Sequence, residues 1–514
     1  MTPTPEQQHA IDLQAPVIEI RAGAGCGKTT VLLQRAMAEA KTSERVIVLT
    51  FSRAAAWEFE TRLARFLGHH RPIQTSTIHS MAAEIVHKHG DRKVHIVDEV
   101  EAEKLRREAL THHESEEDAL ERLGLVRYRD LVPMALELLQ RRDVLWDYEG
   151  AVILIDEAHD ISANQWTFVQ ALHPARLVYV VDLAQRVYGW RGAIEPPAEV
   201  VQRAQRVDLT TNFRSLPAIL TAANRLDIPG RVDLVGPPGS GAGEVWSRDV
   251  ESDSEMCEEV AWAFDPAESW AVLTRTRSRA LGIVNALGAL GIPTHAPGLT
   301  DPILDQPHGR AVLDLLHVAQ DPMSSVHLVR VLDACGVDER ARLKLEATRT
   351  RLACSLWEAV IHQDEYDQLP QLAQDTLRRL WESGGHSEAV DLLTEINPSL
   401  ADLDVVDVLP AGSVGEVLQW VADPDRAISR ESKAGAVYVS TIHGAKGLEF
   451  DHVVVAGCEE GGLPLLRKGT DIAEERRLFY VAITRAKQRV ILAYRRTDER
   501  NRDLRPSRFI REVV

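Results

Sequence analysis

The chain has 514 residues, 45% hydrophobic and 26% charged, with a net charge of −18 and an isoelectric point near 5.5. That composition excludes a disordered polymer, and at roughly 150 residues per domain it implies three or four folded domains. The acidic total excludes a uniformly basic nucleic-acid coat, but a bound strand needs cationic surface only where it runs.

Residues 1–10 show no basic stretch followed by an apolar one, and no apolar run reaches the roughly 18 residues that cross a bilayer. The cysteines Cys26, Cys257, Cys335, Cys354 and Cys458 form no C-x-x-C pair, and the histidines lack a second ligand at metal spacing. The expectation is a cytoplasmic protein, bacterial, archaeal or phage-encoded, with no disulfide, zinc or iron–sulfur cluster and no membrane partner.

The first strand is expected over 17–20, followed by a glycine-rich loop and a helix over 29–40. Further strands are expected over 45–50, 151–155 and 177–181. Such β-branched runs, separated by helical segments, point to a parallel sheet covered on both faces. Between 81 and 148 the pattern is helical and charged, without buried strands, and includes a solvated acidic run at 114–121. Residues 236–243 read as a linker. Strand-like runs resume at 271–274, 437–440, 452–456 and 490–493, around a mostly helical stretch. Arginines crowd the stretch beyond 476, and 505–510 is expected to pack on its lobe. The fold class is therefore α/β, two parallel-sheet lobes each interrupted by a mainly helical insertion. The first lobe is placed at 1–83 and 150–235 with its insertion at 84–149. The second is placed at 244–320 and 432–514 with its insertion at 321–431.

Ala22-Gly23-Ala24-Gly25-Cys26-Gly27-Lys28-Thr29 lies between an expected strand and an expected helix. It fits G-x-x-x-x-G-K-[ST] except for Ala at the first position. Glycines let backbone N–H groups curl around phosphates, and the helix N-terminus adds positive charge. Lys28 then reaches the β- and γ-phosphates of ATP, and Thr29 ligates Mg²⁺. Asp156 and Glu157 follow the strand at 151–155, where open α/β sheets bind ligands. Asp156 is the second metal candidate, and Glu157 the group that positions and deprotonates the attacking water.

The ordered motifs from Gln7 to Arg485 resemble the UvrD/Rep/PcrA-type superfamily 1 DNA helicases, across both lobes but not the insertions. The resemblance implies two RecA-like motor lobes and an ATP-dependent, 3′→5′ single-stranded DNA translocase and helicase acting in DNA repair, recombination or replication. It implies that Gln7 in Thr4-Pro5-Glu6-Gln7 reads adenine and that Gln185 senses the γ-phosphate. In 209–215 it implies Phe213 on adenine and Arg214 on the γ-phosphate. In 441–450 it implies Glu449 on the ribose, and in 481–486 Arg485 as a second arginine finger. Thr30 stands where the family often has an adenine-packing Arg, and Arg35 is the candidate to compensate. His159 stands where the family usually has Gln, giving Asp-Glu-Ala-His, a superfamily 2 string. No Ser-Ala-Thr motif follows it, and Gln185 with Tyr188 and Trp190 is the superfamily 1 arrangement.

Phe51, Tyr188 and Trp190 fall in loops after first-lobe strands, and each stacked base contributes roughly 1–3 kcal/mol without sequence preference. By motif position, Arg53, Thr77, His79, Arg191, Thr441 and His443 are the candidate backbone contacts. The expected partners are single-stranded DNA, single/double-strand junctions and a protein loading or repair partner. Three other readings stay open: a nuclease-free motor subunit, a protein-stripping translocase that unwinds weakly, and an RNA-directed helicase. The sequence runs 29 residues beyond Arg485, and no nuclease domain is expected in it.

Overall fold

The computed structural model describes residues 3–67, 72–90, 95–97, 115, 120, 125–189, 192–237, 239–297, 435–467, 469–498 and 502–514. The expectations for Trp190, Arg191, most of the acidic run and the insertion at 321–431 lie outside these residues. In chain order the elements are α1 (Pro5–Asp12), β1 (Val17–Ala22), α2 (Lys28–Glu39), β2 (Val46–Thr50), β3 (Ile73–Thr77), β4 (His95–Val97), β5 (Leu125–Arg127), β6 (Val152–Ile155), β7 (Arg176–Val181), β8 (Gln205–Leu209), β9 (Glu244–Val250), β10 (Trp270–Thr274), β11 (Thr294–His295), β12 (Val437–Thr441), β13 (Phe450–Ala456) and β14 (Ala486–Arg495).

The first sheet has the order β3-β2-β6-β7-β1-β8 and the second β11-β12-β10-β13-β14-β9, both parallel throughout. The period of two divides each apolar run between two faces. In β2, Val46 and Val48 join one core cluster while Ile47 and Leu49 join the other. Leu154 in β6 and Val178 and Val180 in β7 follow the first set, and Ile153, Leu177 and Tyr179 the second. Burial on both faces explains why these strands read as unbroken hydrophobic runs.

The strands that sequence reasoning missed lie at or near sheet edges. β3 (Ile-Gln-Thr-Ser-Thr), β8 (Gln-Arg-Val-Asp-Leu) and β9 (Glu-Val-Trp-Ser-Arg-Asp-Val) each have exposed or half-buried polar positions and no continuous apolar run. The first-lobe insertion also departs from expectation. It contains the parallel pair β4–β5, with Val126 buried, where only helix was expected. Three-residue strands are too short for periodicity to register.

The chain divides into two compact units, Met1–His295 with Ser432–Val514, and Ala296–Glu431. Within the first unit the two sheets are joined by the segment after β8. Ser215 Oγ donates to Ala486 O at 2.6 Å, and Leu216 N–H to Lys487 O at 2.8 Å. The helix Pro217–Arg225 then packs on β9, β14 and the terminal helix Arg508–Val513. Phe509 in that helix is buried against Phe479, so the end of the chain packs on its lobe as expected. Among the described residues no helix is long and apolar enough to cross a membrane.

Candidate active site

Because the first sheet is parallel, the ends of β1, β2, β3, β6 and β7 share one edge, and the residues expected to bind nucleotide gather there. β1 ends at Ala22, and Gly23, Ala24, Gly25, Cys26 and Gly27 turn the chain into α2 at Lys28. Gly25 and Gly27 sit in the left-handed region, at φ +72 and +78. A Cβ on Gly25 would also stand 2.7 Å from Asn212 Nδ2, so a side chain there is both strained and blocked. Gly27 caps α2 without a side-chain hydrogen bond, which leaves the helix's first N–H groups to an anion.

The loop is held from behind. Gln7 Nε2 donates to Cys26 O at 3.1 Å while its Oε1 accepts from Thr4 N–H at 3.0 Å. Asn212 Nδ2 donates to Ala24 O at 2.6 Å, and Phe213 N–H to Gly25 O at 2.9 Å. Asn212 was not anticipated from sequence; its Oδ1 also accepts from the N–H groups of Arg214 and Ser215. It locks the segment carrying Phe213, half-exposed, to the phosphate loop.

Lys28 Nζ lies 3.3 Å from Asp182 Oδ2 and 3.9 Å from Glu157 Oε2. Burial would lower its pKa, but Glu157, Asp182 and Asp156 outweigh burial and raise it. Thr29 Oγ1 donates to Asp156 Oδ2 at 3.3 Å. The two adjacent carboxylates split. Burial, and then Glu157 beside it, push Asp156 up to about 6. Burial opposes ionisation of Glu157 too, but Lys28, with Lys446 and Arg485 behind it, holds it down at about 2. Glu157 has φ 50, left-handed for a non-glycine residue, a strain found at functional sites. Its Oε2 is buried without a hydrogen bond among the protein groups.

These residues fit a magnesium–nucleotide. Thr29 and Asp156 offer two oxygen ligands, and Mg²⁺ takes its remaining ligands from phosphate and water. The glycine cradle and Lys28 suit the phosphates, and the orphaned Glu157 oxygen suits a water. Thr30 is exposed on α2. Arg35 departs from expectation. It is fully buried, donating to the carbonyls of Ala10, Ile11 and Leu13 and to Glu39. The carbonyls ending α1 engage its Nη1, and Glu39 engages its Nε and Nη2, so the guanidinium is committed to the protein rather than to a base.

The second lobe supplies the opposite wall. Arg485, buried, donates from Nη2 to Gln185 Oε1 at 3.2 Å and from Nη1 to Leu448 O at 3.1 Å. Burial, then Arg214, lower it to about 9, so it remains a cation at neutral pH. Arg214 Nε donates to Glu449 Oε2 at 2.7 Å, and Lys487 Nζ lies 3.3 Å from Glu449 Oε1. Burial would raise the Glu449 carboxyl, but Arg214 and Lys487 hold it low.

Beside this site the rings of Phe51 and Tyr188 stack, centroids 5.3 Å apart at 15°. His443 lies 6.1 Å from Tyr188, and the Thr441 hydroxyl accepts from Gly444 N–H at 3.2 Å. Thr77 caps the helix Ile78–His89, and His79 stacks on Tyr128 at 4.2 Å. A small pocket is lined by Phe51, Thr77, His79, Ile161, Gln165 and Asp156, joining the aromatic surface to the carboxylate edge. Arg53 opens the helix Arg53–Leu67, and its side chain lies outside what is described. Tyr128, in the insertion, had no sequence signal beyond being aromatic. Asp182 had one, a carboxylate at the end of a buried strand.

Residues 3–118 and 95–197 match the UvrD/REP helicase N-terminal domain, and residues 422–497 the UvrD-like helicase C-terminal domain. The chain is similar to DNA helicase II of Haemophilus influenzae, 25% identical over 96% of this chain and 84% of that protein. It is likewise similar to ATP-dependent DNA helicase UvrD1 of Mycobacterium bovis, 25% identical over 99% of this chain and 84% of that one. ATP-dependent DNA helicase PcrA of Staphylococcus epidermidis is 24% identical over 99% and 86%.

Proposed function

The chain belongs to the UvrD/REP-type superfamily 1 helicases and is an ATP-dependent DNA helicase; from that premise we propose that it travels 3′→5′ along single-stranded DNA as ATP closes one lobe on the other. The observation that carries this reading is the short segment from Asp182 to Tyr188. Asp182 pairs with Lys28 in the phosphate loop, and Tyr188 stacks on Phe51. Nucleotide and base stacking thus share one lever, the local two-state element that a motor requires.

Lys28 and the backbone of 23–27 take the phosphates, and Phe213 and Gln7 are the residues read as serving the adenine. Thr29 and Asp156 would hold Mg²⁺, which when bound neutralises charge on the phosphate oxygens. Glu157, kept ionised by its cations, orients the attacking water and accepts its proton. Arg485 faces the γ-phosphate from across the cleft and Arg214 from beside the phosphate loop, and Gln185 senses it through Arg485. Glu449 exchanges Arg214 for the ribose. Phe51, Tyr188 and Trp190 take bases. Arg53, Thr77, His79, Arg191, Thr441 and His443 take the backbone, and Tyr128 extends the surface beside His79. We read the insertions at 84–149 and 321–431 as the parts that meet strand junctions and a protein partner, inside the cell, in DNA repair, recombination or replication.

The test is steady-state ATP hydrolysis with Mg²⁺, with and without single-stranded DNA, beside Lys28→Ala and Trp190→Ala. Strong stimulation, abolished by the first variant and blunted by the second, is expected. Hydrolysis indifferent to DNA would sink the motor reading. Displacement of a block from the 5′ but not the 3′ end of a strand then checks the polarity, and an RNA strand that stimulates equally would redirect the substrate.

A further inference from the structure

Lys446 is a second-lobe residue whose ammonium is seated in the first lobe. Its Nζ donates to the Asp160 carboxylate and, at 3.0 Å, to the main-chain carbonyl of Gln185. It also lies 5.0 Å from the centroid of the Tyr188 ring, within cation–π range. The side chain is only 10% exposed, so these contacts are made largely out of water. His159 Nε2 is 3.3 Å away, but it is not an acceptor. His159 Nδ1 accepts from Asp182 N–H at 3.1 Å, and burial, then Lys446, keep the ring neutral. Its one proton is therefore on Nε2, which lies 3.1 Å from Glu157 Oε2 without making a hydrogen bond to it. The three ammonium hydrogens are thus shared among Asp160, Gln185 O and the Tyr188 face.

We propose that Lys446 is the positioning residue that couples lobe closure to the base platform, clamping the segment between Gln185 and Tyr188 from across the cleft while anchoring on Asp160. Gln185 faces Arg485 with its side chain and Lys446 with its carbonyl, so one residue receives both second-lobe cations. Arg485 reports on the nucleotide end of the segment. Lys446 acts on the end that holds Tyr188, and through Asp160 it stands on the same turn as Glu157. Asp160 is the pivot: its carboxylate is buried, and its Oδ1 has no hydrogen bond among the protein groups. Losing the ammonium would leave that charge uncompensated and release the ring together.

This inference rests on the motor reading above, and the test keeps the two apart. The full chain and its Lys446→Gln, Lys446→Arg and Asp160→Asn variants are assayed for ATP hydrolysis with and without saturating oligothymidylate. Oligonucleotide affinity is measured by fluorescence anisotropy and folding by Tm. The expected result is a stimulation ratio at least tenfold lower in Lys446→Gln and Asp160→Asn, at DNA concentrations that saturate binding. Lys446→Arg should recover most of the ratio, since it keeps the cation and its donors. A merely structural lysine would lower Tm and both rates together, leaving the ratio unchanged, and that result overturns the proposal. So does a lowered ratio that higher DNA concentration restores, because the defect would then be binding alone. If the unaltered protein is not stimulated by DNA, the motor reading fails first and this inference falls with it.

Discussion

Arg485 donates from Nη2 to the side-chain carbonyl of Gln185 at 3.2 Å, joining residues 300 positions apart. Gln185 Nε2 in turn donates to Asp182 Oδ2 at 2.6 Å, and Asp182 pairs with Lys28. A continuous hydrogen-bonded line therefore runs from the second lobe to the phosphate loop. Arg485 Nε and Nη1 are fixed on the carbonyls of Val481 and Leu448, so the guanidinium is held before any substrate arrives. Preorganised charge of this kind lowers a barrier without reorganising at the moment of reaction.

Arg485→Ala should lower kcat for ATP hydrolysis about 100- to 1,000-fold, the usual loss for a transition-state donor. The KM for ATP should move much less, because Lys28 and the glycine loop remain. Gln185→Ala should lower kcat less, and the double variant should cost little more than Arg485→Ala alone, because the two act through one bond. Steady-state kinetics of the three proteins check this, and additive losses would show that the residues act separately.

The stacked pair predicts a second coupling. Tyr188→Ala and Phe51→Ala should each weaken single-stranded DNA binding by about 1–3 kcal/mol, roughly 5- to 150-fold. With the rings 5.3 Å apart, the double variant should lose less than the sum. Anisotropy titrations at one fixed salt concentration measure it, the salt being held because phosphate contacts are salt-sensitive. ATP hydrolysis without DNA should change little, since Lys28 and the glycine loop remain.

The buried strands were legible because burial on both faces leaves an apolar run of β-branched residues, as in Val-Ile-Val-Leu of β2. The phosphate loop was legible because its glycines answer a backbone demand that few other residues meet, as the left-handed Gly25 and Gly27 do. Edge strands such as β8 were hidden because one side of each faces solvent and tolerates Gln and Arg. Asn212 and Lys446 were hidden for another reason. Their work is done against residues 188 and 286 positions away, at Ala24 and Asp160, and local pattern carries no such distance. Arg35 was misplaced because helical position gave its proximity to the loop but not its direction, and the carbonyls ending α1 claimed it.

That placement makes Arg35 a test of structure rather than of nucleotide chemistry. Its guanidinium and Arg176 share Glu39, which is itself buried. Arg35→Ala should destabilise the protein by about 3–5 kcal/mol, the cost of breaking a buried ion pair from one side. The fraction that stays folded should keep its KM for ATP. Thermal unfolding and hydrolysis kinetics decide it, and a raised KM at unchanged Tm would return Arg35 to the nucleotide.

The carboxylates make the nucleotide-free site a source of instability at neutral pH. Asp156 and Asp160 are each pushed up to about 6, burial being the first cause in both. An unfolded aspartate titrates near 3.9, so between about pH 4 and 6 the folded chain holds protons that the unfolded chain has released. Stability then falls as pH rises, because the unfolded state binds fewer protons. This contribution is intact below about pH 4 and gone above about pH 6, while Glu157, shifted down, acts in the opposite sense below that window. Asp156→Asn removes one of the two groups. Without nucleotide or metal it should raise Tm by a few degrees at pH 7, equivalent to about 1–3 kcal/mol, although hydrolysis is lost. At pH 5 the gain should shrink, because the parent carboxyl is by then largely protonated. Scanning calorimetry of both proteins at the two pH values reads the difference directly. A gain that is equal at pH 5 and pH 7 would mean that Asp156 does not take up its proton in that window.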